Sequence, residues 1–292
     1  MKLEALREKL VLGTVQLGLK YGINNVVGKP SRLAAFGILE KARQNNIDTL
    51  DTADAYGDAI QVIGDYLNSH PRANFNIISK FIYDGGSLDE KLGISLKSLH
   101  CKSFYGYMYH RFSDYYNRYY RDDLLRLKHQ GLIGKIGTSV YGNDELAEAA
   151  NDSDVDLIQI PFNLFDNATD KTQLLKQAKK HGKEIHVRSI FLQGLFFKQP
   201  NELSGNLKRL EQPIREFHAI LKQFSLNVNQ VCLNHALHNP LIDKVLIGVE
   251  TVSQLEENLE SILIDFPAEL AEKLKSIHIP DKGLLNPTNW EP

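Results

Sequence analysis

The chain has 292 residues, and its 34 lysines and arginines nearly balance 36 aspartates and glutamates, giving a formal net charge of −2. This balance excludes the basic field that non-specific nucleic-acid binding requires. The two cysteines are too few for a disulfide framework and lack metal-binding spacing, so we expect buried free thiols and no metal. The charged N-terminus lacks a long apolar stretch, and we expect a cytoplasmic protein without a membrane span.

Eight short apolar segments alternate with longer helical patterns along the chain. Each has the length and composition of a buried β-strand. In chain order the strand predictions are VLGTV (11–15), DTLDTA (48–53), NIISK (76–80), FYGYMY (104–109), KIGTS (135–139), LIQIP (157–161), EIHVRS (184–189) and KVLIGV (244–249).

Helical periodicity fills the intervals between these strands. The predicted helices cover 31–46, 58–68, 88–99, 121–131, 144–150, 172–182 and 252–259. Ser31 is expected to cap the first of these helices, and Gly131 and Gly182 stand where helix C-caps are expected. The stretch 211–239 contains two helix-like segments, one of them extra to the repeat, and the tail 277–292 is predicted to be a loop.

Alternating βα units indicate a parallel sheet, and eight units favour a closed barrel over an open doubly wound sheet. A barrel of this type needs about 250 residues. We find no linker or change of composition within the chain. The sequence therefore predicts a single-domain (β/α)8 TIM barrel over residues 1–292.

Four titratable residues lie at or just after the ends of the second, third and fourth predicted strands. They are Asp51, Tyr56, Lys80 and His110. The carboxyl ends of the strands form the active-site face of an α/β barrel, so we expect these side chains to converge in one pocket.

The local sequences around these residues are IDTLDTADAYG (47–57), IISKF (77–81) and YMYHRF (107–112). Further segments follow in order: KIGTS (135–139), LIQIPFNLFD (157–166), RSIFLQG (188–194) and IGVETVSQLEENL (247–259). Together they resemble the aldo-keto reductases over residues 10–262, and the four titratable residues resemble the catalytic tetrad of that family.

The resemblance implies NAD(P)H-dependent reduction of a carbonyl compound to an alcohol. Tyr56 is then the general acid, and the Lys80 ammonium is expected to lower the pKa of its phenol. Asp51 is expected to pair with Lys80, and His110 is expected to orient the carbonyl oxygen through a hydrogen bond.

The resemblance also implies an extended NADP or NAD site at the barrel mouth, without a Rossmann glycine motif. The implied contacts are Thr14, Ser139, Gln159, Arg188, Gly248, Gln254, Glu257 and Asn258. Two of these positions, and the position after Ser139, carry reservations. Val140 stands where relatives usually have an asparagine, Arg188 where many have a stacking aromatic, and Glu257 could instead face solvent on its helix.

Relatives specific for NADPH usually carry a basic residue near the eighth strand, and this chain has none between Gly248 and Asn258. Glu250 would repel a 2′-phosphate or accept a hydrogen bond from a ribose hydroxyl. The choice between NADP and NAD is left open by the sequence.

The expected partner is a small carbonyl compound. Part of the sequence resembles a bacterial subgroup of sugar-modifying pathways, so a keto-sugar or sugar conjugate is the first hypothesis and a simple aldehyde the second. A cofactor-sensing barrel with little turnover is the alternative, and a Schiff base on Lys80 is a third hypothesis. The oligomeric state is not predicted.

Seven of the twelve tyrosines lie between residues 105 and 120. They could form a wall for a polar ring such as a sugar. Packing of helices and loops, or an oligomer contact, is the favoured interpretation.

Overall fold

The computed structural model describes residues 2–166 and 169–291. Eight parallel strands form a closed barrel in which each strand pairs with the next and β8 pairs with β1. The strands are β1 (Leu10–Gly13), β2 (Thr49–Asp51), β3 (Asn76–Phe81), β4 (Phe104–Tyr109), β5 (Ile133–Ser139), β6 (Leu157–Pro161), β7 (Glu184–Arg188) and β8 (Lys244–Gly248). The predicted (β/α)8 barrel is confirmed.

Helices follow the strands and cover the outside of the barrel. They are α1 (Leu3–Arg7), α2 (Val15–Gly18), α3 (Arg32–Gln44), α4 (Ala59–Ser69), α5 (Leu88–Ser98), α6 (Phe112–Tyr116), α7 (Arg121–His129), α8 (Asn143–Asn151), α9 (Thr169–Lys180), α10 (Glu211–Phe224), α11 (Val228–Leu237), α12 (Val252–Glu260) and α13 (Ala268–Lys275).

The predicted strands and helices are all present, with ends that differ by a few residues. Four α-helices were not predicted: α1, α2, α6 and α13. The first three have only four or five residues, which is too short to display helical periodicity. The 3-10 helices at Leu192–Phe197, Pro200–Glu202 and Gly205–Leu210 were not predicted either. The predicted loop over 277–292 was partly wrong, because 3-10 helices occur at Lys282–Leu285 and Pro287–Asn289. Residue 292 lies outside the described residues.

The predicted helix ends are confirmed by their local geometry. The Ser31 hydroxyl accepts a hydrogen bond from the Ala34 amide at 3.3 Å, as an N-cap does. Gly131 and Gly182 follow α7 and α9 with φ angles of 73° and 75°, in the left-handed region that glycine enters without steric cost.

The apolar core has two main parts. The larger lies between the strands and the surrounding helices. The second joins the segment after β7 to α10 and α13 through buried residues such as Phe196, Phe217 and Leu270. In this way α10 is the extra helix expected between β7 and β8, and it supports the loop that follows β7.

Inside the barrel, Ile78, Met108 and Leu157 form a small apolar layer. A polar network lies nearer the N-terminal ends of the strands. Glu184 accepts a hydrogen bond from Tyr105 at 2.8 Å and pairs with Lys135. A cavity lined by residues from several strand ends lies at the opposite, carboxyl end of the barrel.

The tyrosines between residues 105 and 120 serve mainly in packing. Tyr107, Tyr109 and Tyr115 are buried, and Tyr119 stacks on Tyr83 with ring centroids 3.8 Å apart. Both cysteines are free, as predicted. Cys232 is buried, whereas Cys101 is only half-buried. No helix within the described part of the chain has the length and apolar character needed to cross a bilayer.

Candidate active site

The barrel topology brings the four titratable residues to one end. Asp51 is the last residue of β2, Lys80 lies one residue before the end of β3, and His110 directly follows β4. Tyr56 lies in the loop between β2 and α4. Parallel strands align their carboxyl ends, so residues far apart in sequence meet here.

Asp51 and Lys80 form a buried ion pair at this end of the barrel. Lys80 Nζ also donates to the Thr52 carbonyl at 3.3 Å and lies 3.4 Å from the Tyr56 hydroxyl. The second Asp51 oxygen accepts a hydrogen bond from Gln159 Nε2 at 2.8 Å. Each carboxylate oxygen therefore has a partner, and the ammonium points to the phenol.

The charges of this group follow from burial and from each other. Burial by itself lowers the pKa of Lys80, but Asp51 and then Tyr56 outweigh it and raise that pKa above its ordinary value. Lys80 is therefore a cation at neutral pH.

Burial raises the pKa of Tyr56, and the opposing effect of Lys80 is smaller. The expected lowering by Lys80 is therefore present, but it does not bring the pKa below its ordinary value. Desolvation of the phenolate outweighs attraction to the ammonium, because the same ammonium is already paired with Asp51. Tyr56 carries its proton at neutral pH.

His110 packs against Tyr56, with the ring centroids 5.7 Å apart and the rings nearly perpendicular. Burial, reinforced by the positive charge of Lys80, lowers the pKa of His110 to about 4. Its imidazole is therefore neutral near pH 7, and it can donate one hydrogen bond.

A cavity of about 420 Å³ opens beside these residues, a size typical of small-molecule sites. Most of the predicted site residues line it: Thr14, Asp51, Tyr56, Gln159, Arg188, Gly248, Gln254, Glu257 and Asn258. Lys80, Ser139 and His110 are not among its lining residues; the first two are buried and the third is half-buried.

Predicted residues on or just after neighbouring strands contact each other in two places. Ser139 is paired in register with Gln159. The Thr14 hydroxyl donates to the Asp51 carbonyl at 2.9 Å, so it supports β2. Val140 is fully buried, so its side chain leaves this wall without the amide that relatives usually place there.

At the end of β8 the predicted residues already have protein partners. Gln254 Oε1 accepts a hydrogen bond from the Glu250 amide at 2.7 Å. Asn258 accepts one from Asn229 at 3.3 Å, and Glu257 accepts one from Ser253 at 3.3 Å. These contacts order the loop and the first turns of α12 beside the cavity.

Sequence reasoning missed Gln16, which lies in α2 on the cavity wall. Its side chain is 8% exposed, and its Oε1 atom is buried with no partner among the described residues. An added Cβ at Gly248 would lie 2.4 Å from Gln16 Nε2, so this glycine leaves the space that the amide occupies. No spacing rule marks either feature in the sequence.

The unpaired Oε1 atom of Gln16 indicates which kind of ligand the cavity can bind. A buried amide without a partner costs free energy that a polar ligand can recover. Ribose hydroxyls donate and accept hydrogen bonds, and they match both atoms of Gln16. The residues at the β1 and β8 ends therefore fit an elongated polar ligand of this kind.

Two loops meet over the cavity. The amide of Ile23 donates to the Gln193 carbonyl at 3.1 Å, and Gln193 Nε2 donates to the Tyr21 hydroxyl at 3.1 Å. Gln193 has a φ angle of 51°, in the left-handed region that disfavours most side chains. The loops after β1 and β7 thus form a joined roof, which sequence reasoning also missed.

Comparison with known proteins gives the following matches. Residues 9–279 match the Aldo/keto reductase family. A D-threo-aldose 1-dehydrogenase from a Pseudomonas species is 22% identical over 159 residues, which are 52% of this chain and 48% of that protein. The match thus spans about half the length of this curated relative.

Solved structures agree on the fold. Aldo-keto reductase AKR11C1 from Bacillus halodurans, in its holo form, has a TM-score of 0.70 and 19% identity, with 92% of this chain and 91% of that chain covered. A Pseudomonas aeruginosa protein described as an aldo-keto reductase has a TM-score of 0.63 and 21% identity, with 91% and 90% covered.

Proposed function

The chain belongs to the aldo/keto reductase family, and from that premise we propose that it reduces an aldehyde or ketone to an alcohol with NADH or NADPH. The observation that carries this proposal is the buried chain from Asp51 through Lys80 to Tyr56. It holds a protonated phenol at the wall of the cavity.

Each residue of the chain has one task in this proposal. Tyr56 gives its proton to the carbonyl oxygen as negative charge develops there. Lys80, 3.4 Å from the phenol oxygen, stabilises the phenolate that remains. Asp51 keeps Lys80 charged despite its burial.

His110 directs the substrate in this proposal. Its neutral ring packs against Tyr56 and can donate one hydrogen bond to the carbonyl oxygen. A neutral donor suits this task, because it stabilises the oxygen without competing with Tyr56 as the proton source.

A bound nicotinamide dinucleotide supplies the hydride. Ser139 and Gln159 would hold its carboxamide, since Gln159 Oε1 remains available after Nε2 binds Asp51. Thr14, Gly248 and the added Gln16 would border the dinucleotide between β1 and β8, with Gln254, Glu257 and Asn258 at its adenosine end. Arg188 is the remaining predicted contact.

We propose no strong preference for NADPH. Glu250 and Glu257 line the β8 side of the cavity, and the only basic residue among the described lining residues is Arg188. A 2′-phosphate on the β8 side would therefore meet acidic groups.

A sugar carbonyl is the proposed substrate class. The partial similarity to a D-threo-aldose 1-dehydrogenase supports it. The polar lining of the cavity, which includes Gln16, Tyr21 and Asn24, is compatible with a hydroxylated compound.

The test is oxidation of NADH and NADPH with a panel of aldehydes, ketones and keto-sugars. We expect turnover with at least one carbonyl class and its loss in Tyr56→Phe. Tight dinucleotide binding with no turnover across the panel would favour the sensing alternative. Borohydride trapping of a carbonyl on Lys80 would favour the Schiff base.

A further inference from the structure

Arg188 ends β7 on the wall of the cavity that also contains Tyr56. Its guanidinium lies over the ring of Tyr141, 4.3 Å from the centroid, and Nη2 donates to the Val140 carbonyl at 3.2 Å. These contacts fix the position of the guanidinium without neutralising its charge.

No described carboxylate lies within ion-pair distance of Arg188. A structural ion pair with a neighbouring acid, which would explain a cation at this place, is therefore absent from the described side chains. A guanidinium has five N–H donors, and one of them binds the Val140 carbonyl. The described residues give the other donors no hydrogen-bond acceptor, and Arg188 lines the cavity.

The surroundings of Arg188 contain neutral donors. Tyr21 lines the same cavity, and its hydroxyl oxygen accepts a hydrogen bond from Gln193, which leaves the phenol proton to donate. Burial raises the pKa of Tyr21 and of Tyr56, and the charge of Arg188 lowers both. Arg188 is therefore within electrostatic range of both phenols. Of the lining acids, Asp51 is paired with Lys80, and Glu250 and Glu257 belong to the β8 side.

We propose that Arg188, assisted by Tyr21, binds an anionic group of the carbonyl substrate, either a carboxylate or a phosphate. The inference rests on the proposed reductase function and adds the charge of the substrate to it. A planar fork of N–H donors matches both anions in a bidentate manner. Stacking on nicotinamide would use the face of the guanidinium, whereas the free donors lie on its edge.

The experiment compares matched carbonyl pairs that differ in charge. One pair is 4-carboxybenzaldehyde and the neutral methyl 4-formylbenzoate, and the other is glyceraldehyde 3-phosphate and glyceraldehyde. We expect Arg188→Gln to raise KM for the anionic members about 10- to 100-fold, because a hydrogen bond to a charged group is lost. KM for the neutral members should change less than about threefold.

Two further variants separate charge from geometry. Arg188→Lys keeps the charge and should recover part of the preference for anions. Arg111→Gln removes an exposed cation next to His110 that does not line the cavity, and it should leave KM for both members unchanged. The pair that responds to Arg188→Gln tells whether the anion is a carboxylate or a phosphate.

A binding measurement makes the test independent of turnover. We expect 4-(hydroxymethyl)benzoate to bind the wild type more tightly than its methyl ester, and Arg188→Gln to abolish the difference. Equal loss for charged and neutral ligands, or a rise in dinucleotide Kd with no change in charge preference, would overturn the proposal. Failure of the reductase function would appear separately, as absent turnover with every carbonyl.

Discussion

Gln159 on β6 donates a 2.8 Å hydrogen bond to the carboxylate of Asp51 on β2, across the barrel. Both side chains are almost fully buried. The bond joins a residue proposed to hold the nicotinamide to the ion pair proposed to support the acid. The Gln159 amide therefore links the position of the proposed nicotinamide site to the position of the proposed proton donor.

Gln159→Leu tests this coupling. The change leaves one Asp51 oxygen buried without a partner, so we expect the free energy of unfolding to fall by about 1–3 kcal/mol. Turnover should fall as well, even at saturating dinucleotide. Urea unfolding and kcat at two dinucleotide concentrations measure both effects. Unchanged stability would mean that solvent replaces the amide.

Tyr56→Phe removes only the phenolic hydroxyl. We expect carbonyl reduction to fall about 100-fold or more, the scale expected for a lost general acid. Dinucleotide Kd and Tm should be close to those of the wild type, and they serve as the control for folding. Undiminished turnover would place the acid elsewhere, with His110 the first candidate.

Gly248→Ala places a methyl group where the Gln16 amide lies, since the added Cβ would be 2.4 Å from Nε2. We expect weaker dinucleotide binding, and partial recovery when Gln16→Ala is added to make room. Gly93→Ala is the matched control, because its added Cβ would meet nothing within 4 Å. Independent, additive effects of the two changes would contradict the contact.

Glu250→Lys tests the proposal on cofactor preference. A lysine at this acidic side of the cavity should shift the ratio of NADH to NADPH Kd toward NADPH by about 10- to 100-fold. Glu260→Lys, at the exposed end of α12, is the control for a general change of charge. A wild type that already binds NADPH 100-fold better than NADH would contradict the argument.

The pH dependence of stability should report His110. Its pKa is about 4 in the folded chain against 6.5 for the ordinary residue, so the unfolded chain binds the extra proton between these values. Stability is then fully present above pH 6.5 and is lost as the pH falls toward 4, by up to about 3 kcal/mol.

His235 has a pKa lowered to about 4 by burial as well, so it contributes to the same window. The contribution of His110 is therefore the difference between the wild type and His110→Asn. We expect the variant to lose less unfolding free energy between pH 7.5 and pH 5. Equal losses in the two proteins would show that His110 titrates normally when folded.

Activity should follow from the same protonation states. Tyr56 has a raised pKa, so the proposed acid remains protonated throughout the neutral range. His110 remains neutral down to about pH 4. We expect kcat/KM for reduction to be flat from about pH 6 to pH 9. An inflection near 6.5 that His110→Asn removes would contradict this.

The sequence by itself determined the architecture and which residues the barrel brings together. Strand and helix periodicities are local, and they give eight βα units without knowledge of contacts. Once those units form a parallel barrel, Asp51, Lys80 and His110 must meet, because their positions in the strands fix the end at which they lie.

Tertiary structure alone decided the electrostatics and the shape of the cavity. Burial raises the pKa of Tyr56, and the Lys80 ammonium, which is shared with Asp51, lowers it. No local sequence pattern encodes which of these two effects is larger. The unpaired amide of Gln16 and the guanidinium of Arg188 became visible only when their neighbours were known. The desolvation of a group and its hydrogen-bond partners depend on residues that are distant in sequence. Only the folded chain brings those residues together.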